Sequence, residues 1–259
     1  MFENLSEDQI FDIYLEDANH AFSGWDFSYI TQRIVIEPLD WSYPSIIIPF
    51  LRSVDSMLDM GTGGGEFLCS LQPLPKNTFA TESYKSNIPL AKKNLEPIGV
   101  KVIPFRDDKK LPLKDEQFDL IINRHESYCP YEVIRLLKKG GFFITQQVGG
   151  TNDLELNRFL GSPINNVTVE YQHWNLAFAI NELKETGFHI IQQKECFPKT
   201  KCFDIGAIIF QLKAIPWQVK DFTTSKYYSK LKELHLKIQK EGFFCITSHR
   251  FLIVAKKPY

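Results

Sequence analysis

From residue 53 onward, short apolar runs alternate with helical ones, and this alternation restricts the possible folds more than any other feature. Ser56–Met60 reads as an apolar strand that ends in a run of glycines, and Glu66–Leu71 opens a helix directly after them. Thr78–Thr81 is the next expected strand, and Ile88–Glu96 is a helix stopped by Pro97 and Gly99. Strands are expected again at Val100–Pro104 and Phe118–Asn123, then a helix at Tyr131–Lys138, then a strand at Phe142–Val148 after Gly140-Gly141. Asn175–Thr186 is helical with Gly187 to end it, followed by a strand at Phe188–Glu195. Strands separated by helices at this spacing need right-handed crossovers and a parallel sheet. Phe251–Ala255 is a terminal strand that returns after a long excursion, so it can close the sheet in antiparallel fashion.

The glycine run lies between a strand and a helix, where such a loop lets the backbone approach a ligand without side-chain collision. A dinucleotide fingerprint places glycine at the sixth position counted from Gly61, but Glu66 stands there. A carboxylate in the first helical turn would repel a pyrophosphate. No Gly-Lys-Ser/Thr follows, so a phosphate loop of the Walker type fails as well. These absences point to a ligand without phosphates, and Glu66 disfavours a nicotinamide-dependent oxidoreductase.

Composition narrows the function classes. Lys plus Arg number 30 against 31 Asp plus Glu, a formal net charge of -1, which argues against broad neutralisation of nucleic acid or anionic lipid. A 259-residue chain with 44% hydrophobic residues buries a sizeable core without staples. The 5 cysteines form no Cys-x-x-Cys pair, so neither structural zinc nor a disulfide framework is expected. No run approaches the ~20 apolar residues of a membrane span. The N-terminus lacks the basic and hydrophobic regions of a secretory signal, so a cytoplasmic location is expected.

Ahead of the alternation, Ser6 and Gln9 form a capping box for a first helix, and 25–49 is rich in aromatic and branched residues. We expect an N-terminal helical cap over 1–52, a main domain over 53–259, and a helical insertion within it at about 198–240. In the insertion Ile205, Ile208, Ile209 and Leu212 recur at helical spacing, as do Tyr227, Leu231, Leu234 and Ile238.

Asp59-x-Gly-x-Gly-x-Gly resembles the first motif of the class I S-adenosylmethionine-dependent methyltransferases. Glu82 closes the second strand about where that family places its acidic residue. Arg106-Asp107-Asp108-Lys109-Lys110-Leu111-Pro112-Leu113 is similar to its Asp-x-x-x-Leu-Pro-Phe segment. Gln117-Phe118-Asp119-Leu120-Ile121-Ile122 looks like the fourth-strand signature, and Leu136-Leu137-Lys138-Lys139-Gly140-Gly141 resembles the turn before the fifth strand, with Lys139 where proline is usual. The resemblance covers roughly 53–150. It implies an α/β Rossmann-like three-layer sandwich, with a mostly parallel seven-stranded sheet whose last strand is antiparallel.

The resemblance also implies S-adenosylmethionine as cofactor and no metal. By it, Asp59, Gly61, Thr62, Gly63 and Gly65 form the cofactor loop, and Glu82 bonds both ribose hydroxyls. Asp107 would meet the adenine amino group, Asp108 would face the ring through its backbone, and Asn123 would point to the cofactor cleft. Positioning supplies much of the catalysis of methyl transfer, because the sulfonium methyl is already electrophilic. A general base is required only for a poorly acidic acceptor. In the loop Asn123-Arg124-His125-Glu126-Ser127-Tyr128, His125 is a weak candidate for that base.

The favoured acceptor is a small molecule, apolar or aromatic. Trp25, Trp41, Trp174, Phe203, Trp217 and Tyr227 of the cap, the 150–175 connection and the insertion are candidates for its pocket. An RNA or protein methyltransferase and a non-catalytic cofactor-binding protein are the alternatives.

Overall fold

The computed structural model describes residues 5–23, 25–162 and 173–259. The middle of the 150–175 connection therefore lies outside the described residues. Helix α1 (Glu7–Leu15) begins at the capping box, where Ser6 Oγ accepts from the Gln9 amide and Gln9 Oε1 accepts from the Ser6 amide. Strand β1 (Ile34–Ile36) and helix α2 (Tyr43–Leu51) follow. The alternation then runs β2 (Ser56–Met60), α3 (Glu66–Ser70), β3 (Asn77–Glu82), α4 (Ile88–Leu95), β4 (Lys101–Pro104), β5 (Phe118–Arg124), α5 (Pro130–Leu136) and β6 (Leu137–Val148). Helices α6 (Leu154–Leu160) and α7 (Leu176–Glu185) lead to β7 (His189–Cys196). The remainder is β8 (Lys199–Cys202), α8 (Ile205–Ala214), α9 (Tyr228–Glu241), β9 (Phe244–Thr247) and β10 (Arg250–Lys256).

Seven strands form one sheet in the order β4-β3-β2-β5-β6-β10-β7. The first five are parallel, and β10 runs antiparallel to both β6 and β7. Every residue of β2 is buried, as expected of a central strand covered on both faces. Met57, Leu120, Ile122, Ile144 and Leu252 meet α2, α3 and α4 on one face. Leu58, Phe118, Ile121, Phe143, Phe251 and Ile253 meet α5 and α7 on the other. This is the α/β three-layer sandwich that the alternation and the resemblance imply.

Leu137 and Lys138, expected to be helical, instead open β6. The reason is an anchor: Lys138 Nζ donates to both oxygens of Asp119 at 2.9 Å and to Ser56 Oγ at 3.1 Å, tying three adjacent strands at their starts.

The N-terminal cap and the late insertion contain strands as well as helices. β1, β8 and β9 pair as a second, antiparallel sheet. Phe11 of α1, Ile205, Ile208, Ile209 and Leu212 of α8, and Leu231, Leu234 and Ile238 of α9 share one core. Two stretches separated by about 150 residues thus bury their apolar faces on each other. Arg33 joins them: its Nη2 lies 2.7 Å from Asp17 Oδ2, and its Nε donates to Asp204 Oδ2 at 2.8 Å. Asp204 also caps α8 by accepting from the Ala207 amide at 2.8 Å. Tyr29 OH donates to Asp17, completing the network.

Candidate functional site

The glycine loop leaves the carboxyl end of β2 at the middle of the sheet. Its amides are held by β3, with Thr62 N–H donating to Thr81 O at 2.9 Å and Gly61 N–H to Thr81 Oγ1 at 3.3 Å. Gly61 has φ +70°, and a Cβ built there would lie 2.4 Å from both Cβ and Cγ of Glu126, so only glycine fits. Gly63 has φ +62°, and its missing Cβ would sit 3.6 Å from the Trp25 ring. The N-terminal segment therefore covers the loop.

Three carboxylates converge around this loop. Asp59, 4% exposed, has its pKa raised to about 6 because burial penalises the charge, opposed by Thr62 and Arg124. Glu82, 2% exposed, is likewise pushed up by burial. Backbone N–H groups work against that shift, and the Tyr84 amide donates to Glu82 Oε1 at 2.7 Å. Glu126 is raised by burial, then by Glu82, with Asp108 adding a smaller push. Asp108 thus stands within electrostatic reach of the cleft. Asp107 is exposed, and its carboxylate accepts from the Lys109 amide at 2.9 Å, within its own loop.

The ends of β5 and β6 carry a connected polar array. Asn123 is fully buried; its Oδ1 accepts from Thr145 Oγ1 at 2.9 Å and from Gln147 Nε2 at 2.5 Å. Its Nδ2 is buried without a hydrogen-bond partner among the described residues, and the Thr62 hydroxyl faces the Asp59 carboxylate. Orphaned amide groups of this kind are rare in folded proteins, and this one stands beside the glycine loop at the end of β5. Tyr43 OH donates to Asn123 O at 2.8 Å and accepts from the Asn123 amide at 3.2 Å, so α2 holds the end of β5 in place.

His125 follows with φ +63°, an uncommon conformation for histidine, braced by its amide donating to Gln146 O at 2.8 Å. Trp41 Nε1–H donates to Gln146 Oε1 at 2.8 Å, and Gln146 Nε2 faces His125 Nε2 at 3.0 Å. An indole only donates, so it fixes the Gln146 amide, and the amide N–H then donates to the imidazole. His125 therefore carries its proton on Nδ1, and its lone pair is already engaged. Surrounding protein, then Arg250 and Arg124, holds its pKa well below the usual histidine value although the ring is exposed in the cleft. The ring is neutral, but the lone pair a base needs is taken by Gln146.

Trp25 packs against Trp217 at 5.6 Å and Tyr84 at 6.0 Å, bringing cap, insertion and β3 loop together over the glycines. The other aromatic candidates lie elsewhere. Trp174 packs on Tyr128 and Phe251, Phe203 on Phe243, and Tyr227 on Phe222. Trp41, a pocket candidate in the sequence, instead reaches the array through Gln146, while Glu126, Gln146 and Arg250 were not among the sequence candidates. The Gln146-Gln147 pair inside an otherwise apolar strand was the legible signal for this array.

Among the described residues no group of three or more His, Cys, Asp or Glu could hold a metal, and no helix is long and apolar enough to cross a membrane. Residues 58–145 match the profile of a methyltransferase domain family. No curated protein matches the chain. Among solved structures, a protein of Bacillus halodurans assigned as a methyltransferase is 17% identical, with TM-score 0.58, covering 83% of this chain and 99% of its own. A functionally unknown protein of Deinococcus radiodurans is 12% identical, with TM-score 0.59, covering 96% and 99%. Phosphoethanolamine N-methyltransferase 2 of Haemonchus contortus, solved with phosphomonomethylethanolamine and S-adenosylhomocysteine, is 16% identical, with TM-score 0.51, covering 96% of this chain and 61% of its own. The matched segment runs from the glycine loop into β6, so this part of the chain is similar to a methyltransferase domain, and the strand order is the fold that domain takes in the solved structures.

Proposed function

We propose that the protein transfers the methyl group to a small-molecule acceptor received between the glycine loop and the N-terminal cap. The observation that carries this reading is the cluster of Trp25, Tyr84 and Trp217, in which Trp25 lies against Gly63 and joins aromatic rings from three parts of the chain beside the loop. A formal net charge of -1 supports a small acceptor over nucleic acid. Both ligands of the Haemonchus enzyme are small molecules as well. Residues 1–52 and the insertion would act as one cap on the domain that begins near residue 53.

The residues present fit the cofactor. Asn123 Nδ2, buried without a partner among the described residues, offers a donor, Gly61 and Gly63 allow close approach, and Glu82 would accept from the ribose hydroxyls. Asp59, Glu82 and Glu126 supply negative potential for a ligand whose sulfonium and ammonium are positive. When bound, S-adenosylmethionine supplies a methyl group already activated by its sulfonium. The protein's own work is to orient the acceptor and to set the cofactor's positive charge beside the cleft carboxylates. His125 would orient the acceptor by donating from Nδ1 rather than abstract its proton.

Titration calorimetry with S-adenosylhomocysteine tests the cofactor site. We expect binding to wild type and at least ~100-fold weaker binding to Gly63→Arg, whose side chain must enter the cleft from a φ that suits glycine. Equal affinities would overturn the assignment. The raised carboxylates predict a pH dependence. A cationic ligand prefers the ionised form, so affinity for S-adenosylmethionine is lost as pH falls through about 6. From pH 7.5 to pH 5 the loss is expected to be ~10-fold for Asp59 by itself, with Glu82 and Glu126 adding in the same direction. A dissociation constant that stays flat over that range would contradict it.

A further inference from the structure

We infer that the acceptor carries a carboxylate, held by Arg250 with Arg124 on the wall of the cleft opposite the cofactor carboxylates. The inference rests on the reading of the cofactor site above and names the chemical class of its second ligand.

Arg250 opens β10, the antiparallel strand, so it stands at the same sheet edge as the carboxyl ends of β5 and β6. Register places Arg250 opposite Val148 and Arg124 opposite Gln146, and residues two apart on a strand share a face. Arg124, Gln146, Val148 and Arg250 therefore lie on one face of the sheet, toward α2 and Trp41. Each guanidinium acts on His125 and on the other through space.

Neither guanidinium has an ion-pair partner among the described residues. Arg124 lies over the Phe67 ring at 4.7 Å and is exposed. Arg250 is only partly exposed, and its pKa is drawn down by burial. Asp153 acts on Arg250 through space without touching it. The contacts of Arg250 use one nitrogen: Nη1 donates to Asn152 Oδ1 at 2.5 Å and to His249 O at 2.9 Å. That clamp fixes the plane of the guanidinium and leaves Nε and Nη2 with no acceptor among the described residues. These two N–H groups are the side-on pair that receives both oxygens of a carboxylate. Asp153 offsets the buried charge only through space, so a carboxylate that contacts Nε and Nη2 would add the direct pairing that the described residues do not supply.

Charges at this end of the sheet thus divide into an acidic group, Asp59, Glu82 and Glu126, and a basic pair, Arg124 and Arg250. Arg124 lies at the boundary, since it also lowers the pKa of Asp59. Such a layout sorts a cationic cofactor from an anionic acceptor.

The test uses the full chain saturated with S-adenosylhomocysteine and three carboxylates: benzoate, indole-3-acetate and hexanoate, each paired with its neutral amide. Binding is read by saturation-transfer NMR and calorimetry. At least one carboxylate is expected to bind tenfold or more tightly than its amide. Arg250→Gln should abolish that preference and Arg250→Lys should retain part of it, while affinity for S-adenosylhomocysteine changes less than twofold in both. Arg124→Gln, at an exposed position, serves as a second variant should Arg250→Gln fail to fold, and should weaken carboxylate binding at least threefold. Equal binding of acids and amides, or no binding of either to a protein that does bind S-adenosylhomocysteine, would overturn the carboxylate site but leave the cofactor reading intact. Failure of wild type to bind S-adenosylhomocysteine would overturn both.

Discussion

Exchanging Glu82 for alanine is expected to weaken S-adenosylhomocysteine binding by at least ~100-fold. Hydrogen bonds to a charged group are each worth about 1.5–3 kcal/mol, and the proposed grip on the ribose uses two. Glu82 also organises the site before any ligand arrives: it is 2% exposed and accepts from the Tyr84 amide at 2.7 Å. Alanine would leave that amide without its partner, so the variant should lose stability as well as affinity. Glu82→Gln keeps the volume and one acceptor, and should fall between wild type and alanine. Calorimetry at pH 7.5 checks all three proteins. If Glu82→Ala binds within threefold of wild type, the residue does not touch the cofactor.

Arg33→Ala is the substitution expected to cost the most stability. Arg33 bonds both Asp17 and Asp204, whose side chains are only 9% and 11% exposed. Its own pKa rises despite burial, because the two carboxylates hold the charge. Removing the guanidinium leaves two buried carboxylates facing each other, a loss of about 3–5 kcal/mol for a broken buried pair. Asp204 also caps α8, and Gly206 has space only for hydrogen because Asp17 and Arg33 lie against it. We expect the urea midpoint to fall clearly, with the cap and insertion coming apart before the seven-stranded sheet. Limited proteolysis should then cut first within 1–52. An unchanged midpoint would show that apolar packing of α1 on α8 and α9 holds this unit by itself.

Much of the main domain was legible because its signals are local. A five-residue apolar strand, a glycine run and an acidic helix start follow one another in β2 and α3, so their order and type can be read without knowing what surrounds them. The antiparallel β10 was also legible, since a terminal strand after a long excursion has few other ways to join a sheet. The three-stranded sheet was not. β1, β8 and β9 are 3, 4 and 4 residues long, and each is stable only because the others pair with it.

The site divides in the same way. Asp59, the glycines, Glu82 and Asn123 lie within a contiguous motif order, and the structure gathers them at one end of β2, β3 and β5. Asp107, equally prominent in the sequence, turns its carboxylate to its own loop, while Asp108 comes nearer the cleft. His125 was visible as a titratable group in a suitable loop, but its proton position was not. That depends on Trp41 fixing Gln146, a contact across 105 residues of chain.

By itself, the sequence determined the alternating α/β architecture, the glycine loop, a ligand lacking phosphates and the resemblance to methyltransferases, because each rests on neighbours close along the chain. The tertiary structure decided that the cap and the insertion pack on one core, that Trp25 lies against Gly63, that Glu126 fills the space beside Gly61, and that Arg124 and Arg250 stand near each other with no ion-pair partner among the described residues. Those are meetings of side chains from distant stretches, and only the register of the sheet and the packing of its faces bring them into contact.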